Sequence, residues 1–175
     1  MSIDLQSLLS SIQTRFDSSI QKTESFRGET TFYIASESLL NVCRALKEEF
    51  DFTYLVDITA VDYLNTPRDA RFEMVYVLHR FGTNYEDNYR IRLKVRLDEN
   101  DLTIDSVTPV WSGANWLERE VFDMFGVEFS GHPDPRRILM PEDYGPHPLR
   151  KDFDVRNREP SKQSFERALK EGFEH

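Results

Sequence analysis

The sequence predicts an α+β fold: a small antiparallel or mixed sheet with two N-terminal helices packed on it, one further helix, and an extended proline-rich C-terminal segment. Three observations lead there. Apolar residues recur at helical spacing in two early windows, three extended runs follow one another with turn residues between them, and five prolines between positions 133 and 148 exclude regular structure late in the chain. The boundaries that follow are an α+β domain over 1–129 and an extended docking segment and tail over 130–175.

Leu5, Leu8, Leu9, Ile12 and Phe16 mark one face of a first helix over 4–16, followed by a polar connection through Gln21 to Arg27. Residues 30–35, TTFYIA, read as a strand. Ser36 is suited to cap a second helix whose apolar face carries Leu39, Leu40, Val42, Cys43, Leu46 and Phe50. Extended runs at 52–63, 71–81 and 88–97 are separated by Asn65–Thr66–Pro67 and by Gly82, Asn84 and Asp87, which predicts an antiparallel meander. In the third run Tyr89, Ile91, Leu93, Val95 and Leu97 alternate with Arg90, Arg92, Lys94 and Arg96, so one strand face is core and the other basic. A basic face can meet RNA, but the preferred reading is a solvated face balanced by Asp98, Glu99 and Asp101. Asp57 and Asp62, five residues apart, fall on opposite faces of a strand and make no carboxylate pair. Residues 103–111 form a short strand or an extended approach to the next helix.

That helix has Asn115 and Glu118 at capping-box spacing, with Ser112 as an earlier alternative cap, and Gly126 at its C-terminal stop. Trp116, Leu117, Val121, Met124 and Phe125 supply its apolar side, whereas Glu120 and Asp123 are expected to share a polar face. Residues 127–129 allow one last short strand, and Ser164 to Gly172 reads as a short amphipathic terminal helix.

Composition narrows the function classes. At 175 residues the chain is long enough for a proper core, and its net charge of -9 argues against general affinity for nucleic acid or anionic lipid. No run approaches the roughly 18 apolar residues of a membrane span, and the start lacks a basic region followed by an apolar one. Cys43 is the only cysteine, which excludes an internal disulfide and a self-contained iron–sulfur cluster and suits a reducing cytosolic environment.

The dense charges of 115–153 admit a catalytic reading through Glu120, Asp123 and His132, but no pocket or matched pKa is visible in sequence. His132 and His147 with Asp134 and Asp143 fit no compact metal-ligand spacing. A proline-rich stretch carrying Ile138, Leu139 and Met140 between paired charges is better read as a segment that lies along another protein. Its arginines are expected to contact partner carboxylates.

One pattern is more specific. Glu118-Arg119-Glu120, then Asp123, Gly131-His132-Pro133, Arg136-Arg137-Ile138-Leu139, Met140 to Asp143, and His147-Pro148-Leu149-Arg150-Lys151-Asp152-Phe153 resemble the 30 kDa subunit family of NADH:quinone oxidoreductase, respiratory complex I. The signature covers about forty residues, departing from the family at Pro135 and at Tyr144-Gly145-Pro146. The resemblance implies a structural subunit of the peripheral arm, on the cytoplasmic side of the cell membrane, in the form not fused to the larger quinone-site subunit. Its implied partners are that quinone-site subunit and the subunit bearing the terminal iron–sulfur cluster. It also implies that this chain binds no cofactor, with NADH, FMN, iron–sulfur clusters and quinone held by other subunits. The residues of the signature would then be the docking surface. The equivalent subunit of a membrane-bound hydrogenase or another donor:quinone complex is the alternative, and a free-standing enzyme a second one.

Overall fold

The computed structural model describes residues 5–84, 87–156 and 158–172. Helix α1 (Leu5–Arg15) leads into a hairpin of β1 (Ile20–Phe26) and β2 (Glu29–Ile34). A single 3₁₀ turn at Ser36–Ser38 precedes α2 (Leu39–Glu48), and the meander β3 (Tyr54–Asp62), β4 (Phe72–Arg80) and β5 (Tyr89–Leu97) follows. Then come β6 (Thr103–Asp105), α3 (Ala114–Phe125), β7 (Glu128–Ser130) and α4 (Glu159–Gly172).

The main sheet has the order β1-β2-β5-β4-β3, antiparallel except where β2 runs parallel to β5, so the sheet is mixed. β6 and β7 form a separate parallel pair. Every second residue of β5 faces inward because the side-chain period of a strand is two. Ile91, Leu93 and Val95 thereby join Met74 and Tyr76 of β4, Leu8 and Ile12 of α1, Leu39 and Leu46 of α2, and Val121 of α3 in one buried cluster.

The outward row of β5 is neutralised by other acids than expected. Arg90 and Arg92 both reach Glu29, Lys94 lies 2.5 Å from Glu73, and Arg96 lies 2.9 Å from Asp69. Asp98 instead accepts the Asn100 amide in a turn, and Glu99 approaches Arg71. Sequence neighbours at the strand end cannot reach back along the row, whereas Glu29 and Glu73 sit on the adjacent strands.

Two further expectations need correction. The polar connection of 21–27 is an edge strand, β1, exposed along nearly its whole length, so it lacks the apolar alternation by which strands are recognised. It is joined to β2 through Arg27 and Gly28, both at positive φ (51° and 80°), which matches the twist of a tight hairpin. Ser36 does not cap α2: it opens the 3₁₀ turn, and Ser38 occupies the cap without a side-chain bond. Asp57 and Asp62 do lie on opposite faces, Asp57 beside outward Val77 and Asp62 beside inward Phe72.

Candidate functional site

The stretch singled out by sequence is a strap clasped along α3. It runs first in the direction of the helix and then returns to its C-terminal end. His132 stands at Asn115, residues 136 and 137 stand at Arg119, residues 138–140 stand at Asp123, and residues 147–150 return to the last turn.

Glu118 is the deepest group. Its side chain has no exposed surface; Oε1 accepts the Val107 amide at 2.7 Å and Oε2 accepts the Ser106 hydroxyl at 2.7 Å. Burial pushes its pKa up to about 7, against the opposing pull of the Ser106 and Val107 donors. The capping box is therefore not formed: α3 begins at Ala114 behind Gly113, and Glu118 is turned into the core. His132 Nδ1 accepts the Asp134 amide at 3.0 Å, which leaves its proton on Nε2, 3.1 Å from the Asn115 carbonyl and 3.8 Å from Glu118.

Arg119 donates from Nε to the Arg136 carbonyl and from its terminal nitrogen to the Arg137 carbonyl, each at 2.9 Å. One turn on, Asp123 is also without exposed surface. Its Oδ1 accepts Arg137 at 2.6 Å, and its Oδ2 accepts the consecutive amides of Ile138, Leu139 and Met140 at 3.1, 2.7 and 2.8 Å. Burial alone would raise its pKa, but donors from Met140, Leu139, Arg137 and Ile138 outweigh burial and hold the carboxyl below its usual range.

The return limb satisfies carbonyls at the open end of the helix. His147 Nδ1 donates to the Asp123 carbonyl at 3.0 Å, the Leu149 amide to Met124 at 3.1 Å, and Arg150 Nε to Phe125 at 2.5 Å. His147 also meets Phe122 edge-on, and burial lowers its pKa. Beyond it the strap is tied to the sheet. The Lys151 amide donates to Asp62 Oδ2 at 2.9 Å, and Asp152 pairs with Arg71 at 2.7 Å, while Arg71 also makes a two-pronged contact with Asp62.

These contacts revise the expected site. Glu118 and Asp123 have no surface to offer a partner, and Arg137, Arg119 and Arg150 are largely covered and bonded within the chain. Exposed instead are Glu120, Pro133, Arg136, Ile138, Leu139, Leu149, Lys151 and Asp152, with Pro148 and Phe153 half-buried. Arg136 makes a two-pronged contact with Asp134. Nor are the candidate catalytic groups brought together: Glu120 is exposed while Asp123 is buried, and His132 lies at the opposite end of α3, about 12 Å along the axis by helical rise. Among the described residues no group of three or more His, Cys, Asp or Glu is placed to hold a metal ion. Sequence reasoning missed Ser106 and Val107 under Glu118 and the Asp62–Arg71 anchor, which have no short-range signature.

The terminal helix starts earlier than its apolar residues indicated, at Glu159 with Pro160 in the first turn, where a missing amide costs nothing. Asp143 fixes it to the strap through Ser164 at 3.0 Å and Arg167 at 2.6 Å.

Residues 32–159 match the family model described as the respiratory-chain NADH dehydrogenase 30 kDa subunit. The C-type subunit of NADH-quinone oxidoreductase from Geobacter sulfurreducens is 44% identical over 153 residues, covering 86% of this chain and 91% of that protein. The same-named protein of Moorella thermoacetica is 48% identical over 120 residues, 69% of this chain and 76% of its own. Among solved structures, the chain described as Nqo5 of the trypsin-resistant fragment superposes with a TM-score of 0.63 at 34% identity, over 74% of this chain and 98% of that one. A chain of the membrane-bound sulfane sulfur reductase, an archaeal respiratory membrane complex, gives a TM-score of 0.73 at 25% identity, over 90% of this chain and 89% of that one. The chain belongs to the family of the 30 kDa subunit of respiratory-chain NADH dehydrogenase.

Proposed function

We propose that this chain is a non-catalytic structural subunit in the peripheral arm of a proton-translocating NADH:quinone oxidoreductase. The observation that carries the reading is likeness over nearly the whole length to a relative named as a subunit of NADH-quinone oxidoreductase, 44% identical across 86% of this chain. On this reading the strap and the outer side of α3 dock against the larger quinone-site subunit, near the subunit with the terminal iron–sulfur cluster. NADH, FMN, the clusters and quinone are bound by those other subunits. The chain sits on the cytoplasmic side of the cell membrane as a peripheral component. None of its described helices is long and apolar enough to cross a membrane.

The geometry of α3 supports a scaffold. The carboxylates of Glu118 and Asp123 already accept the chain's own donors, so neither is poised to take a substrate proton. Affinity purification of the tagged full chain from its own cells should bring down the quinone-site and iron–sulfur subunits in equal amounts, and deletion should abolish NADH:quinone reductase activity. Recovery of the chain alone, with reductase activity intact after deletion, would remove the reading.

A second reading has its own support in the TM-score of 0.73 to a chain of a sulfane sulfur reductase complex. In it the chain fills the same structural position in a complex, such as a membrane-bound hydrogenase, that exchanges electrons with another donor or acceptor. Whether the purified complex oxidises NADH separates the two.

A further inference from the structure

Between the strap and α4 lies a groove of about 570 Å³, walled by Met140, Pro141 and Tyr144 on one side and by Phe165 and Ala168 on the other. α4 is 14 residues long, and Ser164 is its one fully buried residue among those whose burial is described. Phe165 and Leu169 are 64% and 43% exposed. A helix of that length is marginal on its own in water, so an uncovered apolar stripe is a reason for it to seek a cover.

The apolar exposure does not stop at the helix. Leu139 and Leu149 are 62% and 54% exposed, and their backbone amides bond to Asp123 and Met124, which places both at the last turn of α3. Met140, next to Leu139, lines the groove. An apolar band therefore runs from the end of α3 across the strap to α4. The charged groups beside it are committed within the chain: Arg137 to Asp123, Arg150 to the Phe125 carbonyl, Arg167 to Asp143 and Arg136 to Asp134. A partner offering carboxylates would have to displace these contacts, whereas one offering aliphatic or aromatic side chains meets open surface.

We infer that this groove receives an apolar side chain of a partner subunit, with Leu139 and Phe165 as its two lips, and that hydrophobic burial rather than ion pairing holds the contact. The inference rests on the reading of the chain as a subunit of a respiratory complex. Burial of a ring the size of Phe165 belongs among the contacts that dominate interfaces, while exposed ion pairs contribute little.

The test is retention of the other subunits by the tagged full chain, purified from its own cells in low salt and then washed in about 1 M salt, where screening extends to roughly 3 Å. Wild-type chain is expected to keep its partners through the wash, and the double variant Leu139→Ala, Phe165→Ala to lose them at least tenfold already in low salt. Full retention by the double variant, or release of wild type by salt, overturns the inference while leaving the subunit reading intact. Thermal unfolding checks that the variant is folded; should it not be, the salt wash of wild type decides alone. Light scattering that shows a wild-type dimer abolished by the same substitutions also overturns it, in favour of a second copy as occupant. If wild type retains no partner even in low salt, the subunit reading itself fails.

Discussion

Gly126 meets two separate demands at the end of α3. Its φ of +74° is a left-handed conformation that costs other residues about 1 kcal/mol, and a Cβ there would stand 2.6 Å from the Arg150 guanidinium and 2.7 Å from the His147 ring. Gly28 shares the first demand alone: its φ is +80°, but a Cβ would meet nothing within 4 Å. Gly28→Ala should therefore cost about 1 kcal/mol in denaturant unfolding, and Gly126→Ala more than twice as much, on the order of 3 kcal/mol. The difference between the two measures the closeness of the return limb to the helix. Equal costs would mean that His147 and Arg150 swing away freely, and the clasp would then be weaker than its geometry implies.

At the scale of the strap, Asp123 is the clasp with the most donors. In Asp123→Asn the amide brings two hydrogens toward a cluster of four donors, and Arg137 loses its buried counter-charge, a change that typically costs about 3 to 5 kcal/mol. Because the strap lies outside the main core, the loss should appear first as local opening. Trypsin should cut at Arg136, Arg137 and Arg150 at least tenfold faster in the variant, while the unfolding midpoint of the sheet and its helices moves much less. Cleavage unchanged from wild type would show that other contacts hold the strap.

The sequence made the strap's existence readable but not its attachment. Prolines announce an irregular segment through the donors they remove, and Ile138 and Leu139 announce that it is not free chain. The partners of Asp123, however, lie 14 to 17 residues further on, and those of Asp62 nearly 90, at separations where no periodicity operates. Charges expected to face another protein were consequently turned inward. The same limit explains Glu118, whose capping-box spacing is a local signal overridden by donors from the preceding loop. It also explains β5, where the alternation was legible but its acidic counterparts, on neighbouring strands, were not. By contrast α1, α2 and the meander follow from local apolar spacing, and each is present.

Across the whole molecule, the buried carboxylates give the stability a definite dependence on pH. Glu118 has a folded pKa near 7 against an ordinary 4.5, so between these values the folded chain holds a proton that the unfolded chain has lost. Stability on this account is highest below about 4.5 and is lost as pH rises through 7, by on the order of 3 kcal/mol at about 1.4 kcal/mol per pH unit. Asp123 and Asp62 act in the opposite direction. Burial would raise the pKa of each, but donors outweigh it: Arg71, Lys151 and Leu64 at Asp62, and those of the strap at Asp123. Their contribution is complete above the ordinary value of 3.8 and disappears as pH falls through the lowered folded values. A net charge of -9 at neutrality adds self-repulsion that mild acid relieves. Denaturant unfolding between pH 4 and 8 should therefore place maximal stability on the acid side of neutrality. Glu118→Gln keeps the shape of the side chain and an acceptor for the Val107 amide, but it has no proton to release. The slope between pH 5 and 7 should flatten in this variant, with stability at pH 8 rising relative to wild type, whereas the decline below pH 4 should remain. A slope unaltered by the substitution would assign the dependence to surface charge and leave Glu118 ionised throughout.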